Sequence, residues 1–363
     1  DNTEKTYRTF GNVFAEYKFL KDKSLTFRTN VGIDLSFFHN KAFYENFGDD
    51  DGGGNAIDAG LGRQNRPNSL SESRGESFTI TVNNTLNYET LLNDKHSISG
   101  LIGMEYISNY DSSIGASRAR FPYTDDEFRY LDYGGTELDL WNSGSASEWA
   151  LFSYFGSASY SYDNRYMVTA NLRADASSRF AENNQWGYFP SVSAGWKISD
   201  ETFLKDVDWL SNLKLRASWG ILGNQEIDNY TYLTLISQES GIVQTERFGN
   251  PDLKWESSEQ TNFGVDVGLF ENKLIMTAEY FNKYTSDILL PISLPSIVGN
   301  VEPTILNAGE VRNKGFEFSV GYRNSEKEFK YGINANMATL DNEVEQLHPN
   351  LPYITGDVTR TAV

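Results

Sequence analysis

Polar and apolar residues alternate at a period of two along almost the whole chain, and no other feature narrows the fold as much. Over 78–88 the even positions read Phe78, Ile80, Val82, Asn84, Leu86 and Tyr88. The odd positions read Thr79, Thr81, Asn83, Thr85 and Asn87. Successive side chains of a strand point to opposite faces, so this run has one uncharged, mostly apolar face and one polar face. A turn at Asn93, Asp94 and Lys95 follows, and Ile98, Gly100, Ile102, Met104 and Tyr106 resume the alternation. The unit then repeats. Residues 13–19 turn at 21–23 into 25–35, and 152–162 turn at 163–165 into 166–172. Residues 188–198 precede 213–221, 263–269 turn at 271–273 into 274–280, and 316–322 turn at 324–328 into 329–337. The pattern predicts an all-β antiparallel chain of twelve strands in six hairpins.

Two details select a transmembrane β-barrel over a soluble β protein. Most predicted strands run about 10 to 14 residues, near the length that crosses a bilayer and about twice the soluble mode. The apolar face of each strand interior also carries no charge. Arg28, Asp34, Arg173, Asp175, Lys214, Arg216, Asp266, Glu317 and Lys330 all fall on the other face. A Lys or Arg facing hydrocarbon at mid-membrane costs roughly 2–4 kcal/mol, which keeps such a face clean. A β-propeller or a string of sandwiches is the alternative, with shorter strands and less uniformly uncharged faces. The mean hydropathy of −0.50 does not decide against a barrel. Only alternate strand residues meet lipid, and lumen and loops are polar.

Composition excludes several function classes. The 31 Lys and Arg against 50 Asp and Glu leave −19, the wrong sign for a phosphate-binding surface. Nucleic acid is therefore not an expected partner. With no cysteine there is no disulfide scaffold, thiolate zinc site or cysteine nucleophile. The three histidines, His39, His96 and His348, are too scattered for a metal cluster or a Ser-His-Asp site. No carboxylates pair in a catalytic frame. The expectation is a protein that is not an enzyme and holds no cofactor or metal.

Connections alternate in length. Five of the six hairpin turns are short, while the stretches 38–76, 111–148, 223–257 and 289–312 are long. Outer-membrane barrels put short turns in the periplasm and long loops outside, so the long stretches are expected to be extracellular and to carry ligand contacts. The chain opens within about ten residues of its first strand and stops within a connection. A sheet with two free edges is not tolerated in lipid, so the chain is expected to be part of a larger barrel.

Four stretches resemble a known family. Residues 172–180 read Leu172-Arg173-Ala174-Asp175-Ala176-Ser177-Ser178-Arg179-Phe180. They are followed by Asn183-Asn184-Gln185-Trp186-Gly187-Tyr188-Phe189-Pro190-Ser191 and, beyond, Trp196. Leu213-Lys214-Leu215-Arg216-Ala217-Ser218-Trp219-Gly220 precedes Gly223-Asn224. Asn250-Pro251-Asp252-Leu253-Lys254-Trp255-Glu256 comes next. The last runs from Asn307 and Gly309 through Asn313 and Gly315 to Glu317. In this order, over 172–317, they resemble the motifs of SusC/RagA-type TonB-dependent receptors. The resemblance implies a 22-stranded barrel enclosing a plug. It also implies that 1–363 is the middle of that barrel, with no plug, TonB box or closing strand. It implies import of an oligosaccharide or peptide across the outer membrane of a Gram-negative, Bacteroidetes-like cell. A SusD-like lipoprotein would cap the extracellular face, TonB-ExbB-ExbD would act through the plug, and outer-membrane lipid would surround the wall. A siderophore or cobalamin receptor, and a soluble glycan-binding β protein, are the competing readings.

Individual residues have structural readings beside these. Asp175, Arg179 and Glu317 read as ion-pair and hydrogen-bond partners at the lumen or rim. Trp186, Trp196 and Trp219 read as interfacial girdle, Pro190 as a rim proline, and Pro251 and Trp255 as loop anchors. In the stretch 111–148 and just after it, Tyr123, Phe128, Tyr130, Tyr133, Trp141 and Trp149 stand among Asp125, Asp126, Glu127 and Asp132. They are candidate ligand contacts, because aromatic faces beside carboxylates can stack on sugar rings and bond their hydroxyls. A self-packing loop or a partner contact is the alternative. Asp49-Asp50-Asp51-Gly52-Gly53-Gly54-Asn55 resembles a Ca²⁺ loop but lacks EF-hand spacing. Gly60-Leu61-Gly62 has no following helix to make a phosphate loop.

Overall fold

The computed structural model describes residues 2–20, 22, 24–45, 67–135, 140–204, 206–239, 242–292, 301–324 and 328–347. The acidic run Asp49–Asn55, Gly60-Leu61-Gly62 and His348 lie outside them. All six expected hairpins are present. They are β1 (Asn2–Phe19) with β2 (Leu25–Tyr44), β3 (Ser69–Leu92) with β4 (His96–Ala119), and β5 (Leu140–Tyr162) with β6 (Tyr166–Ser177). The others are β7 (Trp186–Lys197) with β8 (Leu210–Asn224), β11 (Glu256–Leu269) with β12 (Leu274–Ser286), and β15 (Gly309–Asn324) with β16 (Tyr331–Ala338). One sheet runs β1-β2-β3-β4-β5-β6-β7-β8-β11-β12-β15-β16, with β17 (Asp341–Leu347) also on β15. No helix among the described residues is long and apolar enough to cross a membrane.

The turns follow from local chemistry. Asn93 and Asp94, and likewise Asp163 and Asn164, adopt positive φ in three-residue connections, each closed by a backbone hydrogen bond, Lys95 N–H to Leu92 and Arg165 N–H to Tyr162. This is the primed turn whose twist matches the strands it joins, and Asn and Asp tolerate it best.

Three departures from the expected pattern have physical reasons. First, β3 and β4 are 24 residues each and β5 is 23, well beyond the expected 10 to 14. Their outer halves are polar on both faces, as in Ser71-Glu72-Ser73-Arg74-Gly75-Glu76-Ser77, so pairing continues where alternation stops. Second, two long connections contain their own ribbons. These are β9 (Leu235–Glu239) with β10 (Ile242–Arg247), and β13 (Leu289–Ile292) with β14 (Thr304–Asn307). Third, the strand opposite β15 breaks between β16 and β17. A Cβ on Gly315 would lie 1.9 Å from the Thr339 carbonyl oxygen, so the close approach at that break requires glycine.

The described chain forms two compact units. One comprises Asp1–Phe14, Asn30–Val82 and Tyr106–Ala150. The other comprises Ala15–Thr29, Asn83–Glu105 and Leu151–Val363. In the second unit the register places Val168, Ala194, Ala217, Phe263, Tyr280 and Phe316 in one outward row. Trp186 stacks on Tyr154 at one end of this face, and Trp196 on Tyr166 at the other. Ten residues separate Trp186 from Trp196. That is roughly 33 Å along the strand and roughly 25 Å at a tilt of about 40°, the height of the apolar band of an outer-membrane barrel. Two recesses of about 810 and 750 Å³, lined mostly by aliphatic, glycine and aromatic residues, lie along this face, which the pattern assigns to lipid.

The other face is polar and cross-linked. Arg173 donates from Nε to both Asp175 oxygens (2.7 and 3.0 Å), and from Nη2 to Glu105 (2.9 Å) and Ser153 (2.8 Å). Arg216 pairs with Glu279 at 2.5 Å and Asp266 at 3.4 Å. Its guanidinium lies so close over Gly264 that a Cβ there would stand 2.6 Å from Cζ.

Candidate functional site

In the first unit the connection between β4 and β5 is fixed by one asparagine. The Asn68 side chain accepts from the Phe121 N–H at 2.7 Å and donates to the Phe121 carbonyl at 2.9 Å. Phe121 is thereby seated with Phe43 and Leu70 in a small core, with Leu131 packed against it. The Arg129 guanidinium covers the Phe43 ring at 4.5 Å and donates to the Thr124 carbonyl at 2.9 Å.

This anchoring leaves the outer side of the connection aromatic. Tyr123 meets Phe128 at 5.0 Å between ring centroids, Phe128 meets Tyr133 at 5.7 Å, and Tyr133 meets Tyr130 at 6.5 Å. The Lys41 ammonium lies 4.7 Å over the Tyr130 ring. Tyr123, Tyr130 and Tyr133 are all more than half exposed although they touch one another. Asp125, Asp126, Glu127 and Asp132 are interleaved with them. The result is a platform of apolar ring faces edged by hydroxyl and carboxylate acceptors. Such a surface can stack on a pyranose ring and bond its hydroxyls. Trp141 and Trp149 are grouped with these residues on sequence, and no ring contact joins them to the row among the contacts described. Both are on β5, because that strand begins at Leu140 rather than after the loop. Trp141 is exposed beside Gly115, and Trp149 is half-buried.

In the second unit the motif residues converge on one loop anchor. Phe180, Leu253 and Trp255 form a buried cluster, with Leu151, Phe189, Ile227, Leu289 and Ile305 packed around it. Phe180 and Leu253 are fully buried. Side-chain N–H groups stitch three connections together through backbone carbonyls. Trp255 Nε1 donates to the Gln185 carbonyl at 2.9 Å, and Asn250 to that of Ile305 at 3.2 Å. Asn307 donates to the Lys254 and Asp287 carbonyls at 2.9 and 2.8 Å, and accepts from the Lys254 N–H at 3.1 Å. Asn184 reaches the Pro251 carbonyl at 3.3 Å.

The remaining motif residues are placed as follows. Arg173 and Asp175 belong to the polar-face network. Arg179 holds Asn229 and the Gln225 carbonyl. Pro190 pairs with Leu172 in register and lies just outside the β7–β8 ladder, which begins at Ser191, so its missing N–H costs no bond there. Gly309 is buried at the start of β15. Asn313 accepts from Asn342 at 2.6 Å. Glu317 differs from its sequence reading as an ion-pair partner. It is exposed, stands opposite Glu279 in register, and has no ion pair or side-chain hydrogen bond among the described residues. Arg216, the partner of Glu279 opposite, pairs with Glu279 and Asp266.

At the short-turn end, Glu201 accepts from the Tyr166 hydroxyl, from Trp196 Nε1 at 3.1 Å and from Arg165 at 3.0 Å. The Tyr166 and Trp196 hydrogen bonds, with Arg165 beyond, hold its carboxyl below the usual carboxylate range. A depressed carboxylate stabilises above its unfolded pKa of about 4.3, and that contribution disappears as pH falls through the folded value. The thermal midpoint of the wild type should therefore exceed that of Glu201→Gln at pH 7, and the gap should close below about pH 4.

Comparison with known proteins identifies the family. The model of the family described as "TonB dependent receptor-like, beta-barrel" matches residues 1–360. TonB-dependent receptor P3 of Formosa agariphila is 32% identical over 359 residues, covering 94% of this chain and 33% of that protein. TonB-dependent receptor SusC of Bacteroides thetaiotaomicron is 33% identical over 281 residues, covering 70% of this chain and 28% of that protein. Among solved structures, the RagAB peptide transporter superposes with a TM-score of 0.85 at 26% identity, covering 97% of this chain and 38% of that one. The chain thus spans about a third of the length of the curated relatives it matches.

Proposed function

The chain belongs to the TonB-dependent receptor-like β-barrel family, and from that premise we propose that it is part of the wall and mouth of an outer-membrane importer for oligosaccharides. The observation that carries the cargo is the continuous row Tyr123, Phe128, Tyr133 and Tyr130, held open by the Phe43–Leu70–Phe121 core beneath it. In this reading a SusD-like lipoprotein delivers the glycan at the extracellular face, and TonB-ExbB-ExbD drives its passage. A peptide is the second cargo, favoured by the superposition on a transporter named for peptides. An iron chelate or cobalamin fits less well, since flat stacking faces beside acceptor groups suit hydroxyl-rich sugar rings.

The test is uptake by cells carrying the whole receptor. Tyr123→Ala, Tyr130→Ala and Tyr133→Ala combined should lower glycan uptake by about a hundredfold, at roughly 1 kcal/mol for each ring lost from contact. The three rings are exposed, so the amount of folded receptor should not change. Undiminished glycan growth of the triple variant would remove the platform from the mechanism. Induction of the receptor by iron limitation rather than by a glycan would assign the cargo to iron chelates.

A further inference from the structure

Arg247, the last residue of β10, is the most buried arginine among the described residues, at 6% exposed. A guanidinium removed from water needs full compensation by hydrogen bonds and counter-charge. Arg173, far more exposed, has four short donor contacts. Among the described residues the Arg247 side chain has one partner. Its Nη1 stands 3.5 Å from Asp228 Oδ2, at the outer limit of a hydrogen bond, and that carboxylate side chain is 84% exposed. Arg247 Nε is buried with no hydrogen-bond partner among the described residues.

The turn that carries Asp228 is held from several sides. Arg179 donates to Asn229 at 3.1 Å and to the Gln225 carbonyl at 3.4 Å, gripping the residues around Asp228. The Thr231 hydroxyl donates to the Asp228 carbonyl at 2.6 Å. Gln225 Oε1 is a second buried polar atom without a partner in this turn. The backbone is thus fixed, while the Asp228 carboxylate faces solvent between the charges of Arg247 and Arg179.

We propose that Arg247 and Asp228 form an oxyanion subsite in the β8–β11 connection, where the exposed Asp228 carboxylate holds a place that a carboxylate or sulfate group of the incoming ligand takes. The planar guanidinium presents paired N–H donors that match two oxygens of such a group, in a setting where charge-assisted bonds are strongest. The inference deepens the import reading and rests on it, since it takes this connection as ligand-facing and adds an anionic substituent to the cargo.

The test uses the purified whole receptor in detergent, titrated with glucuronate, glucose 6-sulfate and neutral glucose, with calorimetry as the readout. At least one of the two charged sugars should bind saturably and about tenfold or more tighter than glucose, and which one does so identifies the group. Arg247→Gln should weaken that binding by about tenfold or more. Asp228→Asn should strengthen it several-fold, because the internal competitor is gone, and should make the thermal midpoint depend on the added anion. Equal binding of charged and neutral sugars overturns the subsite. So does loss of binding in Asp228→Asn equal to that in Arg247→Gln, since the pair is then a structural clamp. Binding in detergent needs neither TonB nor uptake. A receptor that binds glucuronate through Arg247 but imports no glycan refutes the import reading and leaves the subsite standing.

Discussion

Phe180→Ala is expected to destabilise the loop anchor by about 3–5 kcal/mol, the range for removing a large aromatic side chain from a closed core. Phe180 is fully buried and its ring lies 5.4 Å from that of Trp255, so the space left behind cannot fill without moving Trp255 off the Gln185 carbonyl. Trp255→Ala should cost a similar amount, because it loses both its packing and the hydrogen bond across connections. Hydrogen exchange of the receptor in detergent reads the effect. Amides in 250–255 and 304–308 should exchange about a hundredfold or more faster, since 3 kcal/mol is a factor of more than 100 when opening is local. Amides in the centres of β6 and β7 should keep their protection. Uniform loss of protection along those strands would mean that the anchor is needed for the barrel itself. No change at 250–255 would refute the anchor.

Val192→Arg should have a comparably large effect, for an unrelated reason. Val192 faces outward about midway between Trp186 and Trp196, and its register neighbours Ala170 and Trp219 are on the same face. An Arg in this position meets hydrocarbon and should cost roughly 2–4 kcal/mol. The adjacent residue gives the control. Ser193 points to the polar face and is exposed, so Ser193→Arg should be tolerated to within about 0.5 kcal/mol. Unfolding in lipid vesicles compares the two. Equal costs for both substitutions would remove the lipid assignment of the odd–even pattern.

How much was legible depended on whether the physics was local. The six hairpins were readable because lipid forces a charge-free face on every spanning strand, and because turns such as Asn93-Asp94 announce themselves. The ends of β3, β4 and β5 were not readable. Outside the bilayer both faces of a strand meet water, so no period remains to mark Ser69 or Ala119 as ends. For the same reason nothing marks Trp141 as strand rather than loop. The β9–β10 and β13–β14 ribbons are too short for alternation to stand out. Tyr123, Tyr130 and Tyr133 were recognisable as a cluster by proximity in sequence. The core that supports them was not, because Phe43, Leu70 and Phe121 are far apart in the chain and meet only through pairing. The anchor was visible as motifs but not as an assembly. Nothing in the sequence says that Asn307 reaches Lys254, since a side-chain amide bonding a carbonyl leaves no pattern at the other end. Arg247 carried no signal for the same reason.

The anchor's stitches all end on main-chain groups, carbonyl oxygens and the Lys254 N–H, and that has an evolutionary consequence. Trp255, Asn250, Asn307 and Asn184 grip a peptide group that every amino acid possesses. The side chains at the gripped positions, Gln185, Ile305, Lys254 and Pro251, are not what the donors read. Substitution in these connections therefore leaves the stitches intact wherever the core residues themselves are kept. A lineage can change the surface it shows to the environment in small steps, without passing through unfolded intermediates. The same few donors would hold a new surface, and so a new cargo, in place.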